Sequence, residues 1–222
     1  MKAFSIVHLG PTLVKRVLIA VFAVGLAVAG AWGAQGMGGA SPDNNSAEVT
    51  YRYLVGSGLT QLGSVCDVGI PCPTTAMASN GDTVTIIGEG KLSVQRKQGK
   101  AESVSGGGSF LHTNAAGGVV AVGTWTAKRL LSFESFGPGV GTPPTWEGGL
   151  ARIQVQLAPD SGAGEAKAIL EVGCLLPGIA PHPGVPEGVK LSVLGLLNFD
   201  LAIEPRATLF INLGDDEAMM SK

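Results

Sequence analysis

From Glu48 to Leu213 the apolar residues of this chain recur at every second position, in short runs, and no long segment repeats them at the i, i+3, i+4, i+7 spacing of a helix. Successive side chains of a strand point to opposite faces, so a period of two is what a half-buried strand requires. The runs are rich in Val, Ile, Leu and Thr, and 34 glycines and 13 prolines punctuate the chain. This combination predicts an all-β fold.

The runs are Glu48–Val55, Asp82–Arg96, Glu102–Thr113, Val119–Phe136, Gly149–Ala158, Glu165–Leu176, Val189–Ile203 and Arg206–Leu213. In Gly149–Ala158, for example, Ala151, Ile153, Val155 and Leu157 share one face, and Arg152, Gln154 and Gln156 share the other. Val119–Phe136 is long enough to bend or break at Gly123 or near Lys128. Between the runs lie a long loop, Gly56–Gly81, turns at Lys97–Lys100, Asn114–Gly118 and Pro159–Gly164, and Pro/Gly loops at Gly137–Gly148 and Pro177–Gly188. Strands joined by short hairpins predict an up-and-down antiparallel sheet. Closing that sheet on itself buries its apolar face and removes its edges. The expectation is an antiparallel barrel of about eight strands, with a two-sheet sandwich as the alternative.

A local repeat sets a register. Ile87-Gly88-Glu89-Gly90-Lys91-Leu92 resembles Ser105-Gly106-Gly107-Gly108-Ser109-Phe110. A tight Lys97–Lys100 turn puts Gly88 opposite Gly108 and Gly90 opposite Gly106, with Ile86 facing Phe110 and Leu92 facing Val104. Apolar then meets apolar and glycine meets glycine. Glycine weakens a strand, so a paired patch needs a reason: sharp coiling, or something flat packed on it. Trp125, on the following strand, is expected to lie over Gly108.

Several of these segments together carry a resemblance. Asn80-Gly81-Asp82-Thr83-Val84, Gly88-Glu89-Gly90, Gly106 to Thr113, Gly123-Thr124-Trp125-Thr126-Ala127 and Leu130-Leu131-Ser132-Phe133 are similar to a group of exported bacterial proteins to which no activity is attached. The resemblance spans most of the mature domain and implies export but no reaction. The glycine-rich strands also look loosely like small ligand-holding barrels of the lipocalin or allene-oxide-cyclase type. That likeness is architectural, and a fold does not fix a function.

The N-terminus reads as a secretory signal peptide over residues 1–33. Lys2, Lys15 and Arg16 precede an unbroken apolar run, Val17–Ala31, which is too short to span a membrane and ends in the small-x-small site Ala29-Gly30-Ala31. Residues 34–46 are expected to be a flexible lead-in, 47–214 a single β domain and 215–222 an acidic tail. The expected location is therefore secreted or periplasmic, with no membrane span left after cleavage. Cleavage of the leader removes its three basic residues and no acidic one, so 12 Lys and Arg remain against 17 Asp and Glu, a net −5. That balance argues against a nucleic-acid partner, which needs a basic face.

Three cysteines remain: Cys66 and Cys72 in one loop, and Cys174 at the end of an apolar run. An exported chain is expected to use a disulfide. Cys66–Cys72 is the local pairing and leaves Cys174 buried and reduced; a Cys72–Cys174 bridge is the competing one. No metal site is expected, since only His112 and His182 follow the leader, and no cofactor motif occurs. No Gly-x-Ser-x-Gly is present.

Candidate site residues are few. His112 shares the inward phase of Val84, Ile86 and Phe110, so it is a candidate base or ligand contact, or a hydrogen-bonded structural histidine. Trp125 and Phe110 are candidates for an apolar pocket inside the barrel, or for core. Trp146, in a Pro/Gly loop, is a candidate for the pocket mouth. Glu89, Glu134 and Glu171 are carboxylates with nothing in their spacing to show that two face each other. Three functions follow: a module binding a small apolar ligand, a structural or surface-interaction protein with a filled core, and an enzyme using His112.

Overall fold

The computed structural model describes residues 48–56, 72–95, 100–180, 184–185, 187–203 and 206–214. All lie in one compact unit, Asn44–Lys222. The expected signal peptide, lead-in, acidic tail, Lys97–Lys100 turn tip, His182 and Cys66 lie outside or largely outside these residues.

The described residues form ten strands and no helix. They are β1 Glu48–Val55, β2 Thr74–Ala78, β3 Thr83–Gln95, β4 Lys100–Thr113, β5 Val119–Pro138, β6 Trp146–Pro159, β7 Ala166–Cys174, β8 Gly188–Val193, β9 Asn198–Ile203 and β10 Thr208–Gly214. All the paired strands are antiparallel, and β3, β4, β5, β6, β7, β8, β9 and β2 close a ring of eight. The other two strands prolong two members of that ring. β3 pairs with β2 over Thr83–Ile86 and with β1 over Gly88–Gln95. In the same way β9 pairs with β2, and β10 with β1. Where β7 has ended, β10 reaches β6 directly through Ile211↔Trp146 and Phe210↔Glu147.

Two elements differ from the sequence expectation. Thr74–Ala78, within the expected long loop, is a strand; its Thr-Thr-Ala-Met-Ala carries few bulky groups, yet Thr74, Ala76 and Ala78 are all buried. Val189–Ile203 is two strands: the chain reverses at Leu194–Leu197, with Gly195 at φ +78°, where a side chain would be strained. Trp146 also moves, from a loop to the first residue of β6.

The glycine register is as expected. Ile86↔Phe110, Gly88↔Gly108, Gly90↔Gly106 and Leu92↔Val104 all pair, and β5 flanks β4 with Trp125 opposite Gly108. The Trp125 ring crosses β4 at Gly108 and lands on Gly88, where an added Cβ would strike its Cζ2. Its Nε1 donates to the Ile87 carbonyl at 3.1 Å. The second glycine pair has its own cover. Tyr53, on β1 opposite Gly90, lies over Gly90 and Gly106 and donates its hydroxyl to the Ser105 carbonyl at 2.9 Å. Gly106 has φ +119°, so backbone strain and the Tyr53 ring both demand glycine there. Trp125 and Tyr53 are buried at 2% and 0% exposure.

Below them the interior is filled by Tyr51, Phe133 and Phe210, with ring centroids 4.7 and 5.0 Å apart in sequence along the cluster. Val155, Leu170, Val172, Leu191 and Leu209 complete a continuous apolar core. β5 bends where its register against β6 shifts, first between Ala127 and Arg129. Cys72 is buried, and Cys174 is a buried free thiol. Its thiol is pushed well above the usual range, mainly by burial and then by the Glu187 charge.

Candidate functional site

An apolar hollow lies at the end of the eight-strand ring where the β2–β3, β4–β5, β6–β7 and β8–β9 turns gather. Each wall residue is an inward position of the period-two pattern. β4 gives Phe110 and His112, β5 Ala121, β6 Leu157, β8 Leu191 and β9 Phe199. Leu196 and Leu197, in the β8–β9 turn, form its lip. The cavity holds about 150 Å³.

His112 is the only polar side chain in that wall. Its Nε2 lies 3.1 Å from Asp82 Oδ2, and its ring meets Phe199 edge-on, centroids 5.2 Å apart at 84°. Asp82 sits just before β3. Its Oδ1 accepts the Ala115 N–H at 3.1 Å, so one carboxylate ties the β2–β3 turn to the β4–β5 turn. Asn114 closes the latter turn by accepting the Ala116 and Gly118 N–H groups at 3.0 and 2.8 Å. The Asp82 carboxyl is held below its usual range, first by the His112 hydrogen bond, against some burial, with Asn80 and the Ala115 amide adding to the effect.

A histidine beside a carboxylate suggests acid–base chemistry, but the wall supplies nothing for the pair to activate. No lining residue is a serine, threonine, cysteine or lysine. The other carboxylates singled out in the sequence do not converge. Glu89 pairs with Arg52 at 2.6 Å and Glu171 with Arg152 at 2.8 Å, both on the outer surface, and Glu134 is exposed. Among the described residues no three His, Cys, Asp or Glu side chains stand close enough to share an ion.

Of the four candidate residues, the cavity brings together Phe110 and His112. Trp125 lies one inward step deeper than Phe110 and serves the glycine patch. Trp146 stands at the far end of β6, half-buried against the core beside Ile211. The sequence reading missed Leu191, Phe199 and the Leu196–Leu197 lip as site residues. The signal was there: Leu-Gly-Leu-Leu-Asn is a glycine-centred turn inside an alternating run.

A second polar group occupies the opposite end. Glu147 is buried, accepts the Ser135 hydroxyl, and accepts Asn212 Nδ2 at 2.7 Å. It fastens β5, β6 and β10 where the strands reorganise, and its acceptor capacity is used locally.

The chain matches no family model, no curated protein and no solved structure.

Proposed function

We propose that the protein is an exported β-barrel binding module, secreted or periplasmic, that takes one small apolar molecule into the hollow at the eight-strand end. The observation that carries this reading is the cavity itself. A roughly benzene-sized hollow of about 150 Å³ opens at this end of the ring between apolar walls. The size matters: drug-sized ligands need about 300 Å³ or more, so a single ring or short chain is the fit.

Export rests on the leader pattern in residues 1–33 and on the resemblance to exported bacterial proteins. The outer wall suits an aqueous compartment. Arg152, Gln154 and Glu171 point outward while the inside is apolar, the reverse of a membrane barrel. A Cys66–Cys72 bridge belongs to the same proposal, since Cys174 is the free thiol.

Titration of the mature protein with toluene, followed by the methyl resonances of Leu157, Leu191 and Val193, tests the reading. Saturable shifts at those methyls are expected. They should vanish in Ala121→Phe, which fills the space, while circular dichroism stays unchanged. No shift at toluene saturation overturns the proposal.

The lip favours a second reading. Leu196 is 79% exposed and Leu194 54%, and Val119 and Val120, which open β5, are 65% and 54% exposed. Exposed apolar groups at one end of a molecule suit a contact surface. Leu194→Ser, outside the cavity wall, would weaken a surface contact while leaving toluene binding in the cavity intact.

A further inference from the structure

Resting on the ligand-binding reading, we infer that the cavity's ligand is a small apolar molecule bearing one hydrogen-bond donor, such as a phenol or a short branched alcohol, whose hydroxyl is received by His112 at Nδ1.

The argument starts from what the walls lack. A polar ligand atom taken out of water needs a partner, and among the lining side chains only His112 has a polar atom. Its Nε2 is committed to Asp82, while its Nδ1 makes no hydrogen bond among the described residues. The protein's own contacts set the character of that nitrogen. Asp82 accepts from the Ala115 amide and from His112, and it is held ionised. An ionised carboxylate only accepts, so Nε2 carries the proton, and the neutral ring then presents a lone pair at Nδ1. Edge-on contact with Phe199 resists a ring flip that would exchange the two nitrogens.

The site therefore offers an acceptor at its polar point. Hydroxyl and amide N–H groups satisfy it. Ethers, nitriles and carboxylates present only lone pairs and leave Nδ1 facing another acceptor, a desolvated mismatch. Size and polarity together select a single-ring or short-chain body with one donor.

The test compares toluene, phenol and benzonitrile binding to the mature protein near pH 8.5. Phenol is expected to bind about tenfold more tightly than toluene, the upper range for one neutral hydrogen bond. Benzonitrile should bind no better than toluene. His112→Phe should bring phenol and toluene to equal affinity. Asp82→Asn tests the tautomer without removing the histidine. Its amide can donate to Nε2, moving the ring proton to Nδ1, visible in the 15N shifts of His112, and the preference should swing from phenol towards benzonitrile. Equal binding of toluene and phenol to the unaltered protein overturns this inference and leaves the binding function standing. Persistence of the phenol preference in His112→Phe overturns it as well. Failure of all three probes to bind overturns the binding function itself.

Discussion

Trp125 on β5 donates its indole N–H to the carbonyl of Ile87 on β3, two strands away, at 3.1 Å. That reach passes β4 at Gly108, which pairs with both Trp125 and Gly88, and ends on Gly88, where an added Cβ would strike the indole. A Cβ at Gly108 would strike the Ile87 carbonyl and Gly88 Cα, both backbone, so no rotamer change relieves it.

Gly108→Val and Gly88→Val are therefore each expected to cost at least the upper part of the about 1–3 kcal/mol typical of overpacking. Trp125→Ala should cost about 3–5 kcal/mol, since the ring is fully buried. Urea unfolding measures all three. A Gly108→Val protein as stable as the parent would show that the ring does not need the glycine path.

Tyr53 and Cys174 predict an alkaline limit. Burial raises the Tyr53 phenol well above its ordinary value, and burial together with Glu187 does the same for the Cys174 thiol. Both groups stay neutral in the folded chain while the unfolded chain ionises, at about pH 8.5 for a thiol and about 10 for a phenol. The unfolded state then holds fewer protons, so stability falls as pH rises. Their contribution is complete below those values and is lost above them. Tyr53→Phe should flatten the loss above about pH 10, and Cys174→Ala the loss that begins near 8.5. Unchanged slopes in both variants would place the alkaline limit elsewhere.

Much of this fold was legible because the period of two was strict and the glycines came in pairs. Four cross-strand partners from Ile86 to Leu92 followed from sequence alone. What was missed has local causes. β2 is short and made of Thr, Ala and Met, so its alternation was weak. The β8–β9 reversal kept the phase of the alternating run across Gly195 and hid the turn. Tyr53 was correctly placed on an apolar face, but nothing along the chain revealed that its ring would meet Gly90 and Gly106 from a strand about fifty residues away in order. The site suffered most, because Leu191 and Phe199 join Phe110 and His112 only through ring closure.

The Asp82–His112 pair predicts an acid limit. The carboxyl is held below its unfolded value, so its contribution is present above about pH 4 and is lost as pH falls through the folded value. Asp82→Asn should make the acid limb shallower. Asp82→Ala should also speed hydrogen exchange at the Ala115 amide, which loses its acceptor. An unaltered exchange rate would mean that the two turns are not joined through this residue.

The thiols can be counted. Native protein should not react with a thiol reagent at Cys174, which is buried and held protonated. Denatured, unreduced protein should then react once. Three reactive thiols would refute the Cys66–Cys72 bridge.

β1 and β2 occupy successive stretches of one lane of the wall, and β9 and β10 occupy the neighbouring lane. Both lanes are interrupted at the same level, while β3, β4, β5 and β6 run past it. The barrel wall is therefore spliced: β2 and β9 build it around the hollow, and β1 and β10 take over below, where they bring Tyr51 and Phe210 against Phe133 of the unbroken β5. Hollow and aromatic base thus draw on different segments of the chain, so a substitution in β2 or β9 changes the one without touching the strands that carry Tyr51 and Phe210 in the other.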